Sequence, residues 1–200
     1  VRRTGSAVAP AALALVLALA GCGGSGTTST KASIEKKLRP TTKVVAVAFT
    51  SPAVRDGRLS ALYTCDGKDV SPPLKWGSVP SNLHELALFA TTAATGGSSK
   101  AAKTIDWAIT GIAPSLRGLA AGEVPRGAFL IENSDGRKRY HVCPAKGQTE
   151  RYEFALYALP ELIRAGPQVS GALLLHNLTG HILQGRAPVE GTFTATYTRG

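Results

Sequence analysis

Gly191-Thr192-Phe193-Thr194-Ala195-Thr196-Tyr197 places Phe193, Ala195 and Tyr197 on one side of an extended chain and Thr192, Thr194 and Thr196 on the other. Side chains alternate across a strand, so this pattern predicts a β-strand with one apolar and one polar face. Working back along the chain, Val44–Phe49, Glu85–Ala90, Thr104–Ile109, Ala128–Ile131 and Tyr152–Leu159 are further short runs rich in β-branched, aliphatic or aromatic residues. Turn signals separate them, among them Ser51-Pro52 and Arg55-Asp56-Gly57. Six short strands joined by Pro/Gly-rich connections predict a mainly β fold, a two-sheet antiparallel β-sandwich. One segment follows another period. Leu174, Leu175, Leu178 and Ile182 recur at helical spacing within 171–184, after Ser170 as N-cap and before Gly185 as terminator. This predicts a single C-terminal α-helix, weakened by Gly180.

The composition agrees with one globular body. The chain has 200 residues, 44% of them hydrophobic and 18% charged, with 22 Gly and 12 Pro. That apolar fraction excludes disorder over the whole chain, and no charged heptad pattern supports a coiled coil. Lys and Arg outnumber Asp and Glu by 23 to 13, a net charge of +10 that suggests an acidic partner without naming one.

The first residues read as an address. Arg2 and Arg3 precede an apolar run, Ala7–Ala20, too short to span a bilayer and laid out like a secretory signal. It ends in Leu19-Ala20-Gly21-Cys22, which resembles a bacterial lipobox, so 1–21 is expected to be a lipoprotein signal peptide and Cys22 the acylated residue. Acyl chains on Cys22 would anchor the protein to the extracytoplasmic face of the cell membrane. Residues 22–43 then form a flexible tether, Gly/Ser/Thr-rich and afterwards basic at Lys31, Lys36, Lys37 and Arg39, and 44–200 form the folded domain. Outside the cytoplasm the other cysteines, Cys65 and Cys143, form either a disulfide or two buried thiols.

Common catalytic signatures are missing: there is no Gly-x-Ser-x-Gly elbow, phosphate loop, Cys-x-x-Cys or His-Glu-x-x-His. His176 and His181 lie five residues apart, on different faces of the predicted helix, so they read as surface or packed histidines, and no metal or cofactor is expected. Nucleic acid is not expected as a partner of a protein outside the membrane. Two segments carry more information. Tyr63-Thr64-Cys65-Asp66-Gly67-Lys68-Asp69-Val70-Ser71-Pro72-Pro73-Leu74-Lys75-Trp76 combines a turn with paired prolines that stiffen a loop. Tyr140-His141-Val142-Cys143-Pro144-Ala145-Lys146-Gly147 is a loop with titratable groups that runs on into Glu150-Arg151-Tyr152-Glu153-Phe154, a strand.

At these residues the chain resembles the phosphatidylethanolamine-binding protein family, in its bacterial branch of Raf kinase inhibitor-like proteins. Tyr63–Trp76 is close to that branch's tyrosine-threonine-cysteine-aspartate-glycine and serine-proline-proline-leucine signature. Asp106-Trp107 falls where the family has histidine-tryptophan, and Glu150-Arg151-Tyr152 where it has histidine-arginine-tyrosine. Cys143–Gly147 resembles its cysteine-proline-proline loop, and the similarity runs through roughly residues 47–199. The resemblance implies a two-sheet fold with a small anion-binding pocket for phospholipid headgroups or phosphorylated ligands, and often a homodimer. The implied pocket comprises Asp106, Trp107, Tyr140, His141, Lys146, Gly147, Glu150 and Tyr152.

Departures from the family pattern concentrate in that pocket. Thr91-Thr92-Ala93-Ala94-Thr95 stands where the family has aspartate-proline-aspartate, both pocket histidines are replaced by the carboxylates Asp106 and Glu150, and His141-Val142 replaces glycine-proline. Phosphate needs donors and positive potential. Two carboxylates reverse that sign, so the expectation is a ligand-binding protein without catalytic turnover whose phosphate affinity is weak or lost. A module that binds an envelope protein through Tyr63–Trp76 and Lys138–Gly147 is the alternative. A hydrolase using one carboxyl as general base would also need a nucleophile and an oxyanion donor, and the sequence names neither.

Overall fold

The computed structural model describes residues 45–92, 103–160, 162, 169–183 and 189–200. The expected signal peptide 1–21, the expected tether 22–43 with Cys22, Ala93–Thr95 and Gly185 fall outside the described residues.

Among the described residues eleven strands form two sheets. They are β1 (Val45–Ala46), β2 (Phe49–Thr50), β3 (Val54–Arg55), β4 (Arg58–Leu59), β5 (Leu74–Trp76), β6 (Glu85–Thr92), β7 (Thr104–Ile112), β8 (Gly118–Leu119), β9 (Phe129–Ile131), β10 (Thr149–Leu159) and β11 (Val189–Thr198). The large sheet runs β3-β4-β11-β10-β6-β7-β9, with β1 also on β11, and the small one runs β2-β5-β8. Pairing is antiparallel at the centre, and only β1 and β4 lie parallel to β11. The stretch Val44–Phe49, which reads as one strand, is split. β1 belongs to the large sheet and β2 to the small one, and Val47 between them is buried in the core.

Residue alternation in the central strands feeds two cores. Leu86, Leu88, Trp107, Ile109, Phe154 and Leu156 face the small sheet, where they meet Phe49, Leu74 and Trp76. Ala87, Phe89, Ile105, Ala108, Ala155 and Tyr157 face the helix α1 (Gly171–Leu183), from which Leu174, Leu175 and Leu178 descend onto them. Both faces of the central strands are thus covered, which explains why every residue of β6 is buried. The helix starts where its cap predicts, with the Ser170 hydroxyl accepting from Leu173 N at 3.3 Å.

A β-bulge positions the site. Ala90 pairs with Trp107 but Thr91 pairs with Ile105, so Asp106 is the extra residue on β7. The bulge turns Ile105 toward the helix and Trp107 toward the small sheet, and it frees Asp106 from the ladder. Two loops then close over this corner. Cys65 and Cys143 form a disulfide with Cα atoms 5.2 Å apart. Cys65 N donates to Val142 O at 3.1 Å and the Tyr140 hydroxyl to Tyr63 O at 2.9 Å.

Candidate functional site: an acidic cavity at the end of the large sheet

Thr92 ends β6, Thr104 begins β7 opposite it, and Glu150 stands near the start of β10, so all three lie at one end of the large sheet. With Asp106, Asp135 and His141 they line a cavity of about 170 Å³. The Asp106 carboxylate accepts from the Thr92 hydroxyl at 2.6 Å. Its backbone carbonyl accepts from His141 N at 2.9 Å, so the bulge also fixes the loop that carries the histidine. The Tyr152 hydroxyl donates to Glu150 Oε2 at 2.7 Å, bracing that carboxylate from the next position on the same strand face.

His141 is held from behind. Its Nδ1 lies 2.8 Å from Asp69 Oδ2. A carboxylate can only accept, so Nδ1 carries the proton in this contact. Asp69 also accepts from Arg139 Nη1 at 3.1 Å, and it takes a left-handed backbone conformation, φ 50°, to make these contacts. The histidine is therefore tied to the Tyr63–Trp76 segment as well as to the bulge.

Burial dominates the electrostatics. It raises Asp106 to a pKa of about 7; the Thr92 hydrogen bond opposes this, and the charges of Glu150 and Asp135 add to it. The Tyr152 hydroxyl is pushed well above its ordinary value by burial, then by its bond to Glu150. Tyr140 is raised by burial, then by the charges of Asp106 and Asp69. The cavity is thus a small, partly open space in which burial, reinforced by neighbouring carboxylates, keeps the Asp106 carboxyl partly neutral near pH 7.

Of the residues that the resemblance implied, Asp106, His141 and Glu150 line the cavity. Trp107, Tyr140 and Tyr152 lie behind it in the core, Trp107 meeting Tyr140 edge-on with ring centroids 5.9 Å apart. Lys146 is exposed, and its charge acts on Asp66. Gly147, at φ 73°, donates its N–H to Arg199 O at 2.9 Å. Asp66 is held below the usual carboxylate range, first by the Tyr197 hydroxyl and, against some burial, by Arg199. The sequence alone did not single out Thr104, Asp135 or the orienting role of Asp69. Asp69 lies inside the Tyr63–Trp76 motif, whereas Asp135 sits in a polar turn that gave no signal of the cavity.

The model of the family "phosphatidylethanolamine-binding protein" matches residues 50–194. The chain belongs to this family. A Mycobacterium tuberculosis protein named "Putative lipoprotein LppC" is 35% identical over 167 residues, 82% of this chain and 80% of that one. Among solved structures, the phosphatidylethanolamine-binding protein homologue CT736 of Chlamydia trachomatis aligns with a TM-score of 0.64 at 26% identity, covering 78% of this chain and 99% of its own. YbcL of E. coli aligns with a TM-score of 0.63 at 23% identity, covering 77% and 99%, and supports the fold. Against the phosphate-binding pocket that the family resemblance implies, this chain has threonine hydroxyls and one imidazole as donors, and three carboxylates that ionised can only accept.

Proposed function

We propose that this chain is a lipid-anchored extracytoplasmic binding protein of the phosphatidylethanolamine-binding family, without catalytic turnover, whose family cavity has given up phosphate. One observation carries the reading: the half-buried Asp106 carboxyl shares its cavity with Glu150 and Asp135. An entering phosphate would meet negative charge where it needs donors, and beside a half-buried carboxyl that repulsion is stronger than in bulk water. The anchor reading is supported by Leu19-Ala20-Gly21-Cys22 and by the lipoprotein name that a relative bears.

Calorimetry at pH 8 tests the cavity. Phosphoethanolamine and acetate are expected to give no saturable heat with the native protein, and the double variant Asp106→His/Glu150→His is expected to gain phosphoethanolamine binding. Micromolar binding by the native protein, lost on substituting cavity residues, would contradict the reading. Metabolic labelling with a fatty-acid analogue tests the anchor. Label is expected in the native chain and absent from Cys22→Ser, and an unlabelled native chain would refute it.

A further inference from the structure

A second concavity, sharing no lining residue with the acidic cavity, borders Tyr63. It measures about 410 Å³ and is lined by the β3–β4 hairpin, the turn Ala61–Tyr63 and Pro73. This size falls among small-molecule sites, which typically span about 300–1,000 Å³, whereas the acidic cavity falls below them. Its floor is apolar, with Ala53 and Leu59 buried, and Leu62 on its wall is 44% exposed. Its charge comes from Arg55 and Arg58.

These two arginines stand in an unusual relation. The hairpin turns through Asp56-Gly57, both at positive φ (49° and 71°), the backbone that a two-residue turn demands. Arg55 and Arg58 are direct cross-strand partners. Side chains so placed project from one face, and like charges directly opposite one another are destabilising. Among the described residues neither guanidinium has a carboxylate within ion-pair distance, and Asp56 does not line the groove. Among the described residues neither guanidinium makes a hydrogen bond or an ion pair within the fold. Two unneutralised guanidiniums beside an apolar floor and an exposed leucine are, however, complementary to a doubly charged head on an aliphatic tail.

We infer that the Arg55–Arg58 groove is a binding site for a phosphorylated single-chain amphiphile, an alkyl phosphate monoester whose head bridges the two guanidiniums and whose tail covers Leu59 and Leu62. A phosphate monoester carries about −1.5 to −2 at pH 7 and offers three acceptor oxygens, enough to serve both arginines, while a carboxylate supplies one charge. The site is separate from the acidic cavity, so either reading can fail without the other.

The experiment is a titration of the protein with dodecyl phosphate below its micelle concentration, followed by calorimetry and by backbone amide shifts. One-to-one binding is expected, with shifts centred on 52–63 and Pro73's neighbours, at least tenfold tighter than inorganic phosphate or dodecanoate and weaker at high salt. Arg55→Gln and Arg58→Gln are each expected to cost tenfold or more while melting no lower than the native protein, and Asp106→Asn is expected to leave the affinity unchanged. The inference is overturned by absence of saturable binding, by inorganic phosphate binding as tightly as dodecyl phosphate, or by shifts centred on the acidic cavity. It is also overturned if the arginine variants bind normally, or if they melt well below the native protein, which would make the guanidiniums structural.

Discussion

The acidic cavity and the basic groove are linked through one short segment, for Tyr63 lines the groove while Cys65 and Asp69 hold Cys143 and His141, which line the cavity, and they handle charge in opposite ways. In the cavity Asp106 is bonded to Thr92, Glu150 to Tyr152, and His141 to Asp69, which is itself held by Arg139. In the groove Arg55 and Arg58 face one another across a hairpin with no carboxylate close by among the described residues. Bracing gives a rigid site whose sign is set by burial and neighbours. The unbraced pair leaves positive potential in solvent, available to a ligand. In this chain the bulge and the two loops are set by backbone bonds and packing, and the sign of the cavity by two or three side chains, so the proposed change of sign needs no change of shape.

The linking segment offers the largest test. Cys65 and Cys143 tie the Tyr63 segment to the loop carrying His141, and Cys143 also borders the cavity. Replacing both by serine is expected to cost about 2–5 kcal/mol in chemical denaturation. It should also loosen cavity and groove together, seen as faster amide exchange in 52–69 and 140–147. Loosening of only one region would show that the two are mechanically independent.

Next in size is a pH effect confined to the cavity. Asp106 titrates near 7 when folded and near the ordinary 3.8 when unfolded, so the folded state holds the extra proton between these values. Stability from this group is fully present below about pH 4 and is lost as pH rises through about 7. Asp106→Asn stays neutral and should flatten that slope. Above pH 7 the variant should be the more stable by about 2 kcal/mol, a little under half of what the full displacement implies at about 1.4 kcal/mol per tenfold change in proton affinity, because the amide loses part of the bond to Thr92. A variant less stable than the native protein at pH 8 would show that the ionised carboxylate is well accommodated in the cavity, and the contrast with the groove would fail.

The smallest effect lies in the groove. Removing one half of the arginine pair, by Arg55→Gln, is expected to raise stability by about 0.2–1 kcal/mol at low salt. The gain should shrink as salt screens the native repulsion. A loss of stability would mean that the guanidinium is braced after all and would erase the contrast between the two regions.

Much of the fold was legible because it repeats a period. β6, β7, β9, β10 and β11 cover the runs read from alternation or apolar content, and the helix follows its leucine spacing from the Ser170 cap. The strands β3, β4, β5 and β8 were not, since two or three residues carry no period, and their place is decided by the partner they reach. Within the site, Asp106 and Glu150 could be found because each interrupts a recognisable motif. The bulge that frees Asp106, the Asp69–His141 contact and the arrival of Asp135 are tertiary facts with no local signature. Arg55 read only as part of a turn and Arg58 not at all, for a hairpin's register becomes visible only when both strands are placed.

The sign reversal proposed for the cavity rests on Asp106 being half-buried beside other carboxyls, and a carbon-13 titration of its carboxyl reads this directly. An apparent pKa near 7 is expected, falling in Glu150→Gln because one neighbouring charge is gone. A carboxyl that titrates near 4 and does not respond to Glu150→Gln would contradict it.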